Sequence, residues 1–401
     1  MITQLIEKNM STAAEILKDG GLVAVPTETV YGLAANGFSA KAVDKIFEVK
    51  GRPENKPISL LVSGPEALAR FGKNVPQSAI VLAERFWPGP LTIVVEAIDD
   101  IPENVRSGGK TIGLRCPDHP QTLELLKLLP FPLAAPSANP SGEESPKSAD
   151  QVAAYFNGRI EGIIDGGACT VGTESTVLNM SKTPYTVLRP GALSQDVIFT
   201  VLAEKMTVLG ITGGSGCGTT TALHILESLG GLAINCDEVY HRLLSEPGPM
   251  QDEIVRRFPS SLVDGRIDTK VIGKIVFSDP EALLELNLIA HKFVEDEVSR
   301  LLREWARNGG TLAAIDAIAL IESGISKRCT AVIGITTSEE ARVKRLVKRG
   351  GISEEYARLR ISAQKPNEFF EENCDHIIPN DSTIDDFHKR CLDLFKEIIG
   401  R

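Results

Sequence analysis

No two of the seven cysteines in this 401-residue chain form a C-x-x-C pair, and their number is odd. Neither a disulfide framework nor a zinc ribbon is therefore expected. Cys116, Cys169, Cys217, Cys236, Cys329, Cys374 and Cys391 read as single thiols of a reducing compartment. No stretch approaches about 20 uncharged apolar residues, so no spanning helix and no membrane partner are expected. The first residues carry Glu7 and Lys8 and no apolar h-region, which is unlike a signal peptide; a cytoplasmic protein is the expectation. An excess of positive charge is also missing. There are 19 Lys and Arg against 23 Asp and Glu up to residue 205, and 24 against 30 after it. Neither half is a bulk basic nucleic-acid binder, although a local basic face is compatible with these counts. Histidine is scarce where a nucleophilic triad would need it: the first half holds only His119, beside Pro120, which reads as structural.

Glycine is plentiful, with 35 residues, many of them clustered between short apolar runs. The length is about twice that of a usual single domain, and the composition, 42% hydrophobic and 24% charged, is that of a globular protein. Runs such as Leu22–Val25, Thr92–Val95, Thr111–Leu114 and Ile163–Ile164 are bounded by Gly or Pro. Between them lie segments of helical period, for example Ser11–Asp19 and Ala40–Lys50, and the alternation predicts an α/β architecture. Ser11, Thr12 and Glu15 resemble a capping box that opens the first helix. No internal repeat is visible. A new strand, Val208–Ile211, follows a finishing helix, so two domains are expected, 1–205 and 206–401, the second closed by an amphipathic helix within 382–401.

In the first half, Pro26-Thr27-Glu28-Thr29-Val30-Tyr31-Gly32-Leu33 follows a strand, and Lys50-Gly51-Arg52-Pro53 with Lys56-Pro57 ends a helix. Pro136-Ser137-Ala138-Asn139, Gly172-Thr173-Glu174-Ser175-Thr176 and Leu188-Arg189-Pro190-Gly191 come later. Any one of these is commonly only a turn or a solvated face. Together, hydroxyls on post-strand loops (Thr29, Thr111, Ser137, Ser175) and spaced cations (Lys50, Arg52, Lys56, Arg115, Arg189) suit a polyanionic nucleotide and a small zwitterion. In order and wording these motifs resemble the YrdC/Sua5 family of threonylcarbamoyl-AMP synthases over about residues 8–200. The resemblance implies a twisted α/β domain that condenses L-threonine, bicarbonate and ATP to threonylcarbamoyl-AMP and pyrophosphate for tRNA t6A formation. It implies Mg²⁺ and a downstream t6A transferase complex as partners. Carried over, Thr29, Arg115 and Ser175 would contact threonine; Lys50, Arg52 and Lys56 would hold the triphosphate. Thr111, Ala135, Ser137 and Asn139 would line the nucleotide site, and Arg189 would reach its phosphates. Leu61 stands where many members have His. The family's concave cationic surface also accepts double-stranded RNA, so a non-catalytic RNA- or nucleotide-binding module is the rival reading.

In the second half, Thr212-Gly213-Gly214-Ser215-Gly216-Cys217-Gly218-Thr219-Thr220 fits a P-loop, except that Thr219 replaces its lysine. The segment resembles dephospho-CoA kinases over about 207–395, through this loop, Asn235-Cys236-Asp237, Leu286-Asn287 with His291, Asp316, and Arg345, Arg349 and Gln364. The resemblance implies a P-loop kinase fold with a parallel sheet, in which Gly213, Gly216, Gly218 and Thr219 cradle ATP. Asp237 would act as base toward the ribose 3′-hydroxyl, Thr220 and Asp316 would serve Mg²⁺, and Arg345 and Arg349 would clamp ATP. Thr219 and Asn235 depart from the pattern at phosphate and metal positions. Two readings follow: a degenerate domain kept for nucleotide binding, or a working kinase in which an arginine replaces the lysine.

Overall fold

The computed structural model describes residues 2–400. They fall into two compact units, one running to Leu202 and joined by Arg307–Gly309, the other comprising Ala203–Ala306 and Gly310 onward.

The first unit is built on an eleven-stranded mixed sheet. Its inner strands, Gly32–Asn36, Leu133–Ala134, Leu60–Leu61, Thr111–Arg115, Leu91–Ala97 and Thr176–Asn179, lie side by side in that order. The apolar run predicted at Thr92–Val95 is the middle of the longest of these, and it is buried throughout. Helix Met10–Lys18 buries Met10, Ala13, Ala14 and Leu17 at helical spacing against Val23, Val25 and Ile164. It starts earlier than the capping box predicts: the side chain of Asn9, not Ser11, accepts the first free amide, from Ser11 at 3.0 Å. Asn is as good an N-cap as Ser, so the signal two residues on is redundant. Helix Ala40–Lys50 is capped by Ser39 and ends at Gly51 in the left-handed region (φ 57°), whose amide returns to Glu48 and Phe47. That stop sets Lys50 and Arg52 on either side of a reversal of the chain.

The second unit holds a five-stranded sheet in the order Leu232–Asn235, Leu312–Asp316, Thr207–Thr212, Ala331–Thr336, His376–Pro379, parallel throughout. The carboxyl ends of its first three strands bring Thr212, Asn235 and Asp316 to one edge, with Asn235 in register with Asp316. In an open parallel sheet ligands bind at that edge. The expected closing helix spans Ile384–Ile399 and buries Phe387, Cys391 and Phe395, at four-residue spacing, against the sheet. Among the described residues no helix is long and apolar enough to cross a membrane.

Candidate active sites

A cavity of about 290 Å³ opens in the first unit where strands Leu91–Ala97, Thr111–Arg115 and Thr186–Arg189 meet the Gly32 and Ser137 backbones. Three guanidiniums, of Arg52, Arg115 and Arg189, line it together with Glu174, which is the one carboxylate among its described lining residues. Gly113 keeps its wall flat: a Cβ there would stand 2.7 Å from Ser59 Oγ. The hydroxyls of Thr92 and Ser175 lie 2.9 Å apart, buried at its edge.

Each cation is held differently. Arg115 is buried and donates from Nη2 to Glu28 Oε1 at 2.7 Å, while Glu28 Oε2 accepts the Asp118 amide at 3.0 Å. Burial lowers the Arg115 pKa and Glu28 opposes that, so the pair stays charged and fixed in orientation. Arg189 gives its Nε and Nη2 edge to the Ser175 carbonyl (3.2 and 2.8 Å) and pairs through Nη1 with Glu174. Arg52 donates to the carbonyls of Lys56 (3.3 Å) and Pro57 (2.9 Å) and has no ion pair among the described residues. Its pKa is lowered by burial first and by Arg189 second. Lys50 lies behind the cavity, 3% exposed, with its ammonium donating to the carbonyls of Ser137 and Asn139. Burial, then Arg52, pushes its pKa down to about 7. Asn139 donates to Pro140 and Glu143 carbonyls, and its Oδ1 is buried without a hydrogen-bond partner.

In the second unit, strand Thr207–Thr212 runs through the glycine loop into helix Thr219–Ser228. Gly216 and Gly218 are left-handed (φ 86° and 112°), and a Cβ on Gly218 would lie 2.4 Å from Asn380 Nδ2. The loop is braced from outside. Asn380 Nδ2 donates to Cys217 O (2.6 Å), and Arg345 donates to the Gly216, Cys217 and Asn380 carbonyls (3.1, 3.3 and 2.9 Å). Arg342, 5% exposed, donates to Ser215 O (3.0 Å) and Gln364 Oε1 (2.6 Å). At the sheet edge, Asn235 Nδ2 donates to Asp316 Oδ2 at 3.2 Å, and Thr219 hydrogen-bonds the same carboxyl. Burial raises the Asp316 pKa to about 7, the Thr219 bond opposing it. Next to this edge a cavity of about 440 Å³ is lined by apolar side chains, with Asp237, Asn287 and His291 among them.

Two family matches divide the chain. The Sua5/YciO/YrdC family, described as "Telomere recombination", matches residues 15–191, and "Dephospho-CoA kinase" matches residues 207–386. A threonylcarbamoyl-AMP synthase of Pyrococcus abyssi is 46% identical over 198 residues, 49% of this chain and 58% of that protein. A putative threonylcarbamoyl-AMP synthase of Mycobacterium tuberculosis is 32% identical over 195 residues and is covered over 89% of its length. A dephospho-CoA kinase of Dehalococcoides mccartyi is 36% identical over 191 residues, 47% of this chain and 96% of that protein. The chain belongs to both families. Of the Pyrococcus and Bacillus subtilis synthases it spans little more than half, 58% and 57% of their lengths.

Within the synthase-family unit, the cavity brings together Arg52, Thr111, Arg115, Ala135, Ser137, Ser175 and Arg189 from the sequence reading. Lys50 and Asn139 stand behind it, Thr29 is fully buried with its hydroxyl 3.0 Å from that of Thr27, and Lys56 is exposed beside Arg52. Leu61, in the place of the family His, lines the wall. Within the kinase-family unit, Thr219 meets the Asp316 carboxyl, and Thr220 follows it in the first turn of the helix after the glycine loop. Asp237 is exposed at the larger cavity, Arg345 braces the loop, and Arg349 is exposed. Sequence reasoning missed Glu28, Glu174 and Arg342. Glu28 stands inside the PTETVYGL motif, where a carboxylate between two threonines was the available signal.

Proposed function

We propose that the first domain, 1–205, makes L-threonylcarbamoyladenylate and pyrophosphate from L-threonine, bicarbonate and ATP, supplying tRNA t6A37 formation in the cytoplasm. The observation that carries this reading is the convergence of three arginines on one cavity with a single carboxylate on its lining. That leaves net positive charge for a polyphosphate. A threonine carbamate is a poor, unstable nucleophile, so catalysis is positioning: a carbamate oxygen attacks the α-phosphorus and pyrophosphate leaves. Arg115, oriented by Glu28, would hold the threonine carboxylate with Thr29 and Ser175 nearby. Arg52, Lys56 and Arg189 would compensate the charge that builds on the leaving pyrophosphate, with Thr111 beside them. Lys50 would draw in the Ser137–Asn139 segment from behind, so that Ala135 and Ser137 face the nucleoside while Asn139 holds the turn beneath them. Hand-over of the product to a t6A transferase complex, with RNA contact on the cationic face, completes the reading. The test is pyrophosphate release by the full chain with each substrate omitted; release that ignored threonine or bicarbonate would exclude it.

Lys50 also sets a pH dependence. Its folded pKa, about 7, lies below the ordinary lysine value, so its ammonium is present below pH 7 and lost as pH rises through it. Since kcat/KM reports the free enzyme, kcat/KM for ATP at saturating threonine and bicarbonate is expected to fall across that range. Saturating kcat is expected to hold to higher pH, because bound triphosphate favours the charged form. A pH profile of both parameters checks it.

The second domain, 206–401, would bind ATP on the glycine loop through Gly213, Gly216, Gly218, Thr219 and Thr220, with Arg345 and Arg349 on its flank. Dephospho-CoA would lie in the cavity of about 440 Å³, presenting its ribose 3′-hydroxyl to Asp237. The Thr220 hydroxyl, in the first turn after the glycine loop, and the Asp316 carboxyl, at the end of the neighbouring strand, are oxygen ligands of the kind Mg²⁺ takes, and the ion would supply charge compensation at the phosphates. Among the described residues no group of three His, Cys, Asp or Glu could hold a metal, so the nucleotide would complete the coordination. Without the loop lysine, phosphoryl transfer is attenuated.

A further inference from the structure

Glu174 is out of character for a polyphosphate pocket: it is the carboxylate among three arginines on the cavity lining. Its Oε2 pairs with Arg189 Nη1 and its Oε1 accepts a hydrogen bond from Ser145 Oγ at 2.8 Å. Its influence reaches further, opposing the downward pKa shifts of both Lys50 and Arg52. The backbone beneath it is fixed. Its carbonyl accepts the Ala192 amide at 3.0 Å, and a Cβ on Gly191 would come within 2.4 Å of that oxygen, so only the side chain is free to swing. Arg189 does not depend on Glu174 for its aim, because its other edge is already held by the Ser175 carbonyl. One anchor of this carboxylate is thus a cation that a phosphate would also seek, and the other is a neutral hydroxyl.

Resting on the reading of this cavity as the polyphosphate site, we infer that Glu174 is a built-in stand-in anion. It occupies the Nη1 face of Arg189 until the incoming triphosphate displaces it. The returning carboxylate helps expel pyrophosphate. Glu174 is therefore a positioning residue that sets affinity for the polyphosphate, and it moves no proton in the reaction.

The experiment measures inorganic pyrophosphate binding to the full chain by calorimetry at low salt, with and without Mg²⁺, for the wild type and Glu174→Gln. Glutamine keeps the shape and can keep the Ser145 contact while removing the competing charge. Binding is expected to tighten about fivefold, the scale of a partly exposed ion pair. KM for ATP is expected to fall while KM for threonine stays unmoved. Ser145→Ala, which frees one anchor and touches no cation, is expected to shift pyrophosphate binding the same way by a smaller factor. Unchanged or weaker binding by Glu174→Gln overturns the proposal, and a loss confined to the Mg²⁺ arm assigns the carboxylate to the metal instead. If neither protein binds pyrophosphate, the reading of the cavity falls, and the proposal with it.

Discussion

Replacing Arg52 by alanine is expected to lower threonine-dependent pyrophosphate release by about 10²–10³-fold, the usual loss when one preorganised charge donor is removed from a transition state. The reason is that its charge is uncommitted. Arg115 is matched by Glu28 and Arg189 by Glu174, whereas Arg52 has only the carbonyls of Lys56 and Pro57 to aim it. Those carbonyls fix the guanidinium without neutralising it, which suits compensation of a developing pyrophosphate. Arg52→Lys is expected to recover little, because a point charge on a flexible stem cannot keep both carbonyl bonds and the phosphate together. The folded state should hardly change, since the side chain is partly exposed and its removal leaves no buried partner unpaired. Lys50→Ala makes the contrast. It strips donors from two carbonyls, those of Ser137 and Asn139, so its activity loss should come with a lowered melting temperature. Parallel assays of pyrophosphate release and thermal unfolding separate the two. Retention of full threonine-dependent release by Arg52→Ala would remove this arginine from the chemistry.

The chemistry-bearing residues were legible wherever the requirement is local. A glycine that must turn left at Gly51 or Gly218, a hydroxyl after a strand, and an apolar run at Thr92–Val95 all declare themselves within a few residues. Partnerships across the chain did not. Glu28 meets Arg115, 87 residues on, and Asn380 meets Cys217, 163 residues back; no periodicity or spacing encodes such pairs. Lys50 shows the same limit in reverse. At the end of a helix, it is by resemblance a phosphate ligand, yet its ammonium faces two carbonyls and is buried behind the cavity. Arg342 is hidden in sequence because helix Glu339–Gly350 is rich in arginine and lysine; its burial, its bonds to Ser215 and Gln364, and the packing at Gly214, where a Cβ would lie 2.2 Å from its Nη2, distinguish it.

The second large effect is a gain. Thr219→Lys is expected to raise ATP-dependent phosphorylation of dephospho-CoA by the full chain about 10²-fold, by restoring the point charge at the β/γ-phosphates on which this transfer depends. The structure says why that single change should stop short of full activity. Thr219 and Asn235, the two departures from the motif, both hydrogen-bond the Asp316 carboxyl. Against the pattern that the kinase resemblance implies, Thr219 stands in place of the P-loop lysine and Asn235 in place of the first aspartate of a D-x-D element. A positive and a negative group are thus both replaced by neutral donors, and the local charge balance is kept. A lysine introduced alone would have the Asp316 carboxylate as its nearest partner, and part of its charge would be drawn there. Asn235→Asp alone would put a second carboxylate 3.2 Å from the first, with no cation added, and is expected to lower activity and stability. The double variant Thr219→Lys with Asn235→Asp restores the pair and is expected to exceed the lysine variant. Its gain should be larger than the sum of the two single effects, since the residues share a partner. Two nearby arginines are already engaged: Arg345 faces the loop carbonyls from outside, and Arg342 donates to Ser215 and Gln364. Wild-type turnover already in the range of about 1–100 s⁻¹ common to kinases, and unmoved by Thr219→Lys, would overturn this account and return the domain to the working kinases.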